Sequence, residues 1–494
     1  MSKNPLFLQT VQTFCLAILC LTIAASAAAQ RPQATPPPPA QPRSVEFPRP
    51  AEKSLSNGLR VIVVQRSDAP LVAAQLLIKT GGEADPPELS GLADMTANLL
   101  TKGTTTRDAT QIAEAIEALG GSLESAARWD SSVAGVNVMS SKFPQALEIL
   151  ADVVRHPTFK QDEIDRQRQQ TLDDLTVAMG QPGTIARFVA ARVIFGDSPY
   201  GHPINGTPES LTHIDRADIV KLHGRYYRPD NATLVIGGDI TAKDGFSLAE
   251  RNFGNWKKPA EPLPPTPKAQ TISAKSGRIV VIDKPDAGQA AVMVARTGIE
   301  RKDADFFRGI VANSVLNGYS GRLNQEIRIK RGLSYGAGSN LDARRDVGPF
   351  VAAAQTKNES GAQVADLLLE EVNRLATAPP SDAELTPRKA VLIGNFSRGL
   401  ETANGLVSQI ASLALYGLSL DEINKYIVSV QAVSTADVQK FAANRLDAKT
   451  TNVVIVGNAK AFLPELQKHS SNVQVIPVSQ IDLNSALLRK KQQQ

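Results

Sequence analysis

Two kinds of hydrophobic pattern alternate along this chain. Short unbroken apolar runs, LRVIVV (Leu59–Val64), LVAAQLLIKTG (Leu71–Gly81), RIVVIDKP (Arg278–Pro285) and AAVMVARTG (Ala290–Gly298), predict strands. Longer stretches with apolar residues at three- and four-residue steps, FPQALEILADVV (Phe143–Val154) and GAQVADLLLEEVNRL (Gly361–Leu375), predict amphipathic helices. A second helix follows each, over Asp162–Met179 and Ser381–Phe396, with Pro387 expected in the first turn of the latter, where its missing N–H is harmless. NATLVIGGDI (Asn231–Ile240) and TTNVVIVGNA (Thr450–Ala459) then read as closing strands.

These elements come in the same order twice, at an offset a little under 220 residues, and Gly238 and Gly457 are 219 apart. The chain is therefore read as an internal duplication. The expected fold class is α+β: two homologous domains, each a mostly antiparallel sheet with helices on one face, enclosing a cleft. The Pro-rich break Pro259–Pro267 sets the boundaries, with domains at 51–258 and 272–480, a linker at 259–271 and a polar, basic tail at 481–494, of which LLRKKQQQ (Leu487–Gln494) is expected to be frayed and solvated.

Residues 1–29 read as a secretory signal peptide, with one cation (Lys3), an apolar run from Phe14 to Ile23 and an Ala27-Ala28-Ala29 cleavage site, followed by a Pro-rich linker at 30–50. The expected address is the periplasm, with no transmembrane segment in the mature chain. Both cysteines, Cys15 and Cys20, lie in the leader, so the mature chain has neither disulfides nor thiolate metal sites to draw on. Losing Lys3 lowers the formal net charge of +5 by one, and so mild a surplus argues against a nucleic-acid partner.

The stretch GLADMTANLLTKGT (Gly91–Thr104) has the form of a metalloprotease helix with its functional residues exchanged. An inverted zinc-peptidase helix needs His-x-x-Glu-His, two imidazoles for the metal and a carboxylate to activate water. Those places hold Asp94, Met95, Thr96, Ala97 and Asn98. The chain's five histidines (156, 202, 213, 223 and 469) include no pair three or four apart, so no helical two-His site can form. His202, in a turn rich in Gly and Pro, is expected to bond to backbone instead.

Together with NGLRVIVV, IAEAIEALGG (Ile112–Gly121), SPYGHPINGTPESL (Ser198–Leu211), YYRPDNATLVIGGD (Tyr226–Asp239) and GRLNQEIRIKRGLSYG (Gly321–Gly336), this stretch resembles the insulinase or pitrilysin family of metallopeptidases in its short two-domain form. The resemblance covers nearly all of the mature chain. It implies metal-ligand positions at Asp94, Asn98 and Asp174 and a general-base position at Ala97, which cannot take a proton, so no metal is expected at this degenerate site. It implies catalytic roles for Arg328 and Tyr335, seven residues apart, donating to the scissile carbonyl and its oxyanion. Arg328 is expected to end a helix and Tyr335 to begin the next strand. The residues after Gly120-Gly121, namely Glu124, Ser125 and Ala126, fall on the edge where relatives add substrate as a strand, with Glu124 where the family usually has Asn.

A lost zinc motif beside a kept Arg–Tyr pair resembles the non-catalytic subunit of the family's two-chain members. The expectation is a zinc-free subunit of an exported heterodimeric peptidase, inactive alone, binding no cofactor itself, with zinc in a homologous partner and a peptide as substrate. Two alternatives stay open: a peptide-binding or scaffold protein without a proteolytic role, and an autonomous enzyme holding a hard cation on the oxygens of Asp94, Asn98 and Asp174.

Overall fold

The computed structural model describes residues 47–268, 277–469 and 472–490. The leader and most of the Pro-rich linker, with residues 269–271 of the interdomain linker, lie outside the described residues. Each half contains a six-stranded mixed sheet. In the first, β1 (Ala51–Ser54), β2 (Arg60–Gln65), β3 (Leu71–Ile78), β4 (Ser122–Ala127), β5 (Ser132–Met139) and β6 (Ala232–Gly238) lie in the order β1-β2-β6-β3-β5-β4. In the second, β7 (Ile279–Asp283), β8 (Ala290–Thr297), β9 (Ala337–Leu341), β10 (Pro349–Thr356), β11 (Asn452–Gly457) and β12 (Val473–Pro477) lie in the order β12-β7-β11-β8-β10-β9.

The inner order of the two sheets is the same, which makes the duplication visible in hydrogen bonding. β2 runs parallel to β6 and β7 parallel to β11, while β3 and β8 are antiparallel to both their neighbours. Only the outermost strand differs: β1 joins β2 antiparallel, whereas β12 joins β7 parallel.

The unbroken apolar runs follow from burial on both faces. On one face of the first sheet, Val61, Val63, Leu234 and Ile236 join a core with that half's own helices, including Leu92–Leu99 and Phe143–Arg155. On the other, Ile62, Val64, Ala73 and Val235 meet Leu406, Val407, Ile410 and Ala411 of the helix Ala403–Leu415, which belongs to the second half. The second sheet repeats this in reverse. Val281, Val292 and Ile455 face its own helices, while Val280, Ile282, Met293 and Val454 face Ile185, Val189 and Val193 of the helix Pro182–Phe195 from the first half. Each half thus lends one helix to the other. Gly237 permits the close approach, because a Cβ there would lie 2.8 Å from a methyl of Val407.

The loops β4–β5 and β9–β10 also meet. Arg344 lies over the rings of Trp129 and Tyr200, 4.7 Å from each centroid. Arg345 pairs with Glu83 (2.8 Å) and donates to the carbonyls of Lys79 (2.9 Å) and Asp130 (2.7 Å).

Two expectations are corrected. Pro387 lies in the second turn of the helix Asp382–Gly399, not the first, because Ser381 caps that helix by accepting from the Glu384 N–H. The tail is anchored over 481–488, Leu488 included, although Leu487, Arg489 and Lys490 are exposed. Ile481, Leu483 and Leu488 join the apolar layer beneath the helix Pro182–Phe195, Arg192 donates to the Leu483 carbonyl (2.7 Å), and Thr207 donates to Asn484 (2.8 Å). The basic residues near the end masked the apolar spacing of 481, 483 and 488, which covers sheet surface that the crossing helix leaves open. Leu488→Ala should therefore destabilise the protein by about 2–4 kcal/mol, as measured by urea unfolding; a change near zero would mean that the tail does not pack in solution.

Candidate functional site

The helix Leu92–Leu99 starts at Gly91, whose φ of +95° and 2.9 Å approach to Gly206 exclude a side chain. Its N-terminus is capped from a distance: Asp85 accepts from the N–H groups of Gly91 (2.9 Å) and Ala93 (2.8 Å). Burial raises the Asp85 carboxyl well above the usual carboxylate range, against the lowering effect of these bonds. The helix packs against β4 and the helix Gln161–Met179.

On this helix Ala97 is fully buried and Asp94 and Asn98 face its half-exposed side. Asp94 accepts from the amides of Asn98 (3.1 Å) and Asn205 (3.3 Å). Burial lifts its carboxyl to about 6. Asp174 is exposed on the helix Gln161–Met179, and among the described residues no hydrogen bond or ion pair joins it to Asp94 or Asn98. The donors at these places are a carboxylate already held by two amides, an amide and a solvated carboxylate, which do not fit zinc. Among the described residues, no three His, Cys, Asp or Glu side chains gather as a metal would require. His202 is buried between the carbonyls of Pro203 and Gly82, each 3.0 Å from a ring nitrogen. Burial lowers its pKa to about 4, so it is neutral at pH 7 and can donate to only one of them.

Glu124, Ser125 and Ala126 lie on β4, the edge of the first sheet, paired on one side to Gly135, Ala134 and Val133 of β5. The Ser125 hydroxyl is buried without a hydrogen-bond partner. The equivalent edge in the second sheet, β9, is covered: the Ala337 and Ser339 N–H groups donate to the side chains of Asn324 (3.4 Å) and Asn317 (3.3 Å). No such cover over β4 occurs among the described residues, leaving its outer edge available for strand addition.

Arg328 lies in a π-helical turn, Gln325–Lys330, rather than at a plain helix end, and Tyr335 stands two residues ahead of β9. Nearby cations are paired: Lys330 and Arg331 with Glu326 (2.8 Å each), Arg322 with Glu384 (2.7 Å). Arg328 has no acid or hydrogen-bond partner among the described residues and lies over the Tyr319 ring, 5.2 Å from its centroid. Tyr335 is 90% exposed. Gly336 beside it shares a cavity of about 490 Å³ with Gln181, Gly183 and Thr184, which follow the Asp174 helix in sequence.

Two family models match in succession: "Insulinase (Peptidase family M16)" over residues 60–206 and "Peptidase M16 inactive domain" over 213–392. The chain belongs to the insulinase family. Its relatives include an uncharacterized zinc protease of Mycobacterium leprae, 26% identical over 80% of this chain and 89% of the relative, and one of Rickettsia bellii, 27% identical over 82% and 96%. The crystal structure of a peptidase M16 inactive domain from Pseudomonas fluorescens superposes with a TM-score of 0.77 at 26% identity, covering 83% of this chain and 98% of that one. A Helicobacter pylori protease shares the fold, with the same TM-score at 22% identity over 83% and 100%. With no imidazole in the helix Leu92–Leu99 and an inactive-domain model matching 213–392, this chain is a non-catalytic member of the family.

Sequence reasoning missed the Glu83–Arg345–Asp130 cluster and Tyr319. The tandem Arg344-Arg345 in a hairpin loop was the available signal for the first, and an aromatic between Gly318 and Ser320 for the second. Burial raises the Glu83 carboxyl to about 7, outweighing its ion pair with Arg345. The native state therefore holds a proton that the unfolded chain releases near its ordinary value of about 4.5, so this group's contribution to stability falls as pH rises from about 4.5 to 7. His202 acts in the opposite sense, losing stability as pH falls from 6.5 toward 4, so a variant comparison isolates Glu83. Relative to wild type, Glu83→Gln should gain on the order of 2–3 kcal/mol between pH 4.5 and 7.5 in urea titrations; parallel profiles would place Glu83 at an ordinary pKa.

Proposed function

We propose that this chain is the zinc-free, non-catalytic subunit of an exported, periplasmic heterodimeric peptidase, with zinc and the general base in a homologous partner. The observation that carries this reading is the contrast between two places. The metal helix has neither base nor imidazole, whereas Arg328 and Tyr335 keep the family spacing, Arg328 with no acid or hydrogen-bond partner among the described residues and Tyr335 exposed. A guanidinium without a carboxylate and an exposed phenol are suited to an external oxygen, such as a peptide carbonyl and the oxyanion formed on it. The open β4 edge at Glu124, Ser125 and Ala126 supports an extended peptide as the substrate. No helix of the described residues is long and apolar enough to cross a membrane.

A native pull-down of the tagged mature chain from its host, with metal analysis and a fluorogenic-peptide assay, tests the assembly. A stoichiometric zinc-bearing partner with peptidase activity is the expected result. A lone, inactive chain would contradict it and favour a binding role. In the assembled enzyme, Tyr335→Phe should lower kcat by about 10²-fold while leaving assembly intact; an unchanged kcat would remove Tyr335 from the reaction.

A further inference from the structure

Tyr319 is 70% exposed, yet its loop is pinned. Its carbonyl accepts from the side chain of buried Asn324 (2.6 Å), and the same side chain accepts from the Ala337 N–H, two residues beyond Tyr335. One amide thereby ties the loop bearing Tyr319 to the segment bearing Tyr335. On either side of Tyr319, Arg388 bonds to the Asn317 carbonyl (3.3 Å) and to the Ser320 hydroxyl. An exposed aromatic on a fixed loop is preorganised for contact, because little further ordering is needed when a ligand arrives. Its ring carries the otherwise unpaired Arg328 guanidinium, and half-exposed Ile329 follows Arg328 in the same turn.

We infer that Tyr319 is a specificity-determining and positioning residue for a bound peptide. Its ring holds the Arg328 guanidinium against a peptide carbonyl and receives an apolar or aromatic side chain of the same extended peptide. This rests on the reading of the chain as a peptide-handling subunit. The occupant is a peptide because it offers together the groups this surface lacks: a carbonyl oxygen for the guanidinium without an acid partner, and apolar side-chain area for Tyr319 and Ile329. Arg328 touches the peptide, and Tyr319 acts partly through it.

The test is fluorescence anisotropy on the full mature chain, with two short fluorescein-labelled peptides that differ only in a central Phe or Ser. Wild type should prefer the Phe peptide by about tenfold. Tyr319→Ala should bring the two affinities to within about twofold, and Tyr319→Phe should keep the preference, because it retains the ring. Circular dichroism of each variant separates this from misfolding, which would weaken both peptides alike. Preference retained in Tyr319→Ala, or absent from a wild-type chain that binds both peptides, overturns the proposal alone. A wild-type chain that binds neither overturns it together with the peptide-handling reading.

Discussion

The constraint on which the rest depends is the second face of each sheet. β6 and β11 are buried along their whole length, so each sheet needs cover on both sides, and each half's own helices supply only one. The exchange of Pro182–Phe195 for Ala403–Leu415 solves both needs at once. Apolar burial of this kind is the dominant favourable term in folding, and here it cannot be kept while the halves part. The Arg344 and Arg345 contacts add a polar fastening across the same junction, and Arg228 fixes the start of the linker by donating to the carbonyls of Glu261 (2.8 Å) and Pro259 (3.3 Å). The Pro-rich join is therefore held at its start and does not act as a free hinge there.

A fixed junction has a functional consequence. The altered metal helix is placed by Asp85, Gly91 and Gly206, and the Arg328–Tyr335 segment by Asn317, Asn324 and Arg388. Both belong to the same compact unit, whose shared cores span the two halves. The second half presents a guanidinium without an acid partner among the described residues (Arg328) and an exposed phenol (Tyr335), while in the first half Asp94 accepts from Asn98 and Asn205. Under the proposed reading, this contrast is a division of labour in which another molecule supplies the missing groups.

Much of the fold was legible in the sequence because local pattern and burial agree. The runs at Leu59–Val64 and Arg278–Pro285 lack polar alternation, and the strands there are covered on both faces. The near-constant offset between halves became the shared inner strand order. What pattern could not reveal was which sheet a helix covers. Pro182–Phe195 is apolar enough to pack anywhere, and its destination is set by tertiary fit. The same holds for Leu488, hidden among basic residues, and for Pro387, whose place was decided by a cap six residues upstream. At the candidate site, the exchanged residues Asp94, Ala97 and Asn98 and the Arg328–Tyr335 spacing could be read directly. The free state of Arg328 could not, since it depends on Glu326 and Glu384 being taken by Lys330, Arg331 and Arg322.

The most direct test of the central claim is reconstitution. The purified mature chain would be titrated into its purified zinc-bearing homologue while the initial rate of peptide cleavage is recorded. The account predicts little activity from either chain alone and a rate that rises to a plateau at an equimolar ratio. Full activity from the zinc-bearing chain alone, unchanged by addition of this one, would contradict it.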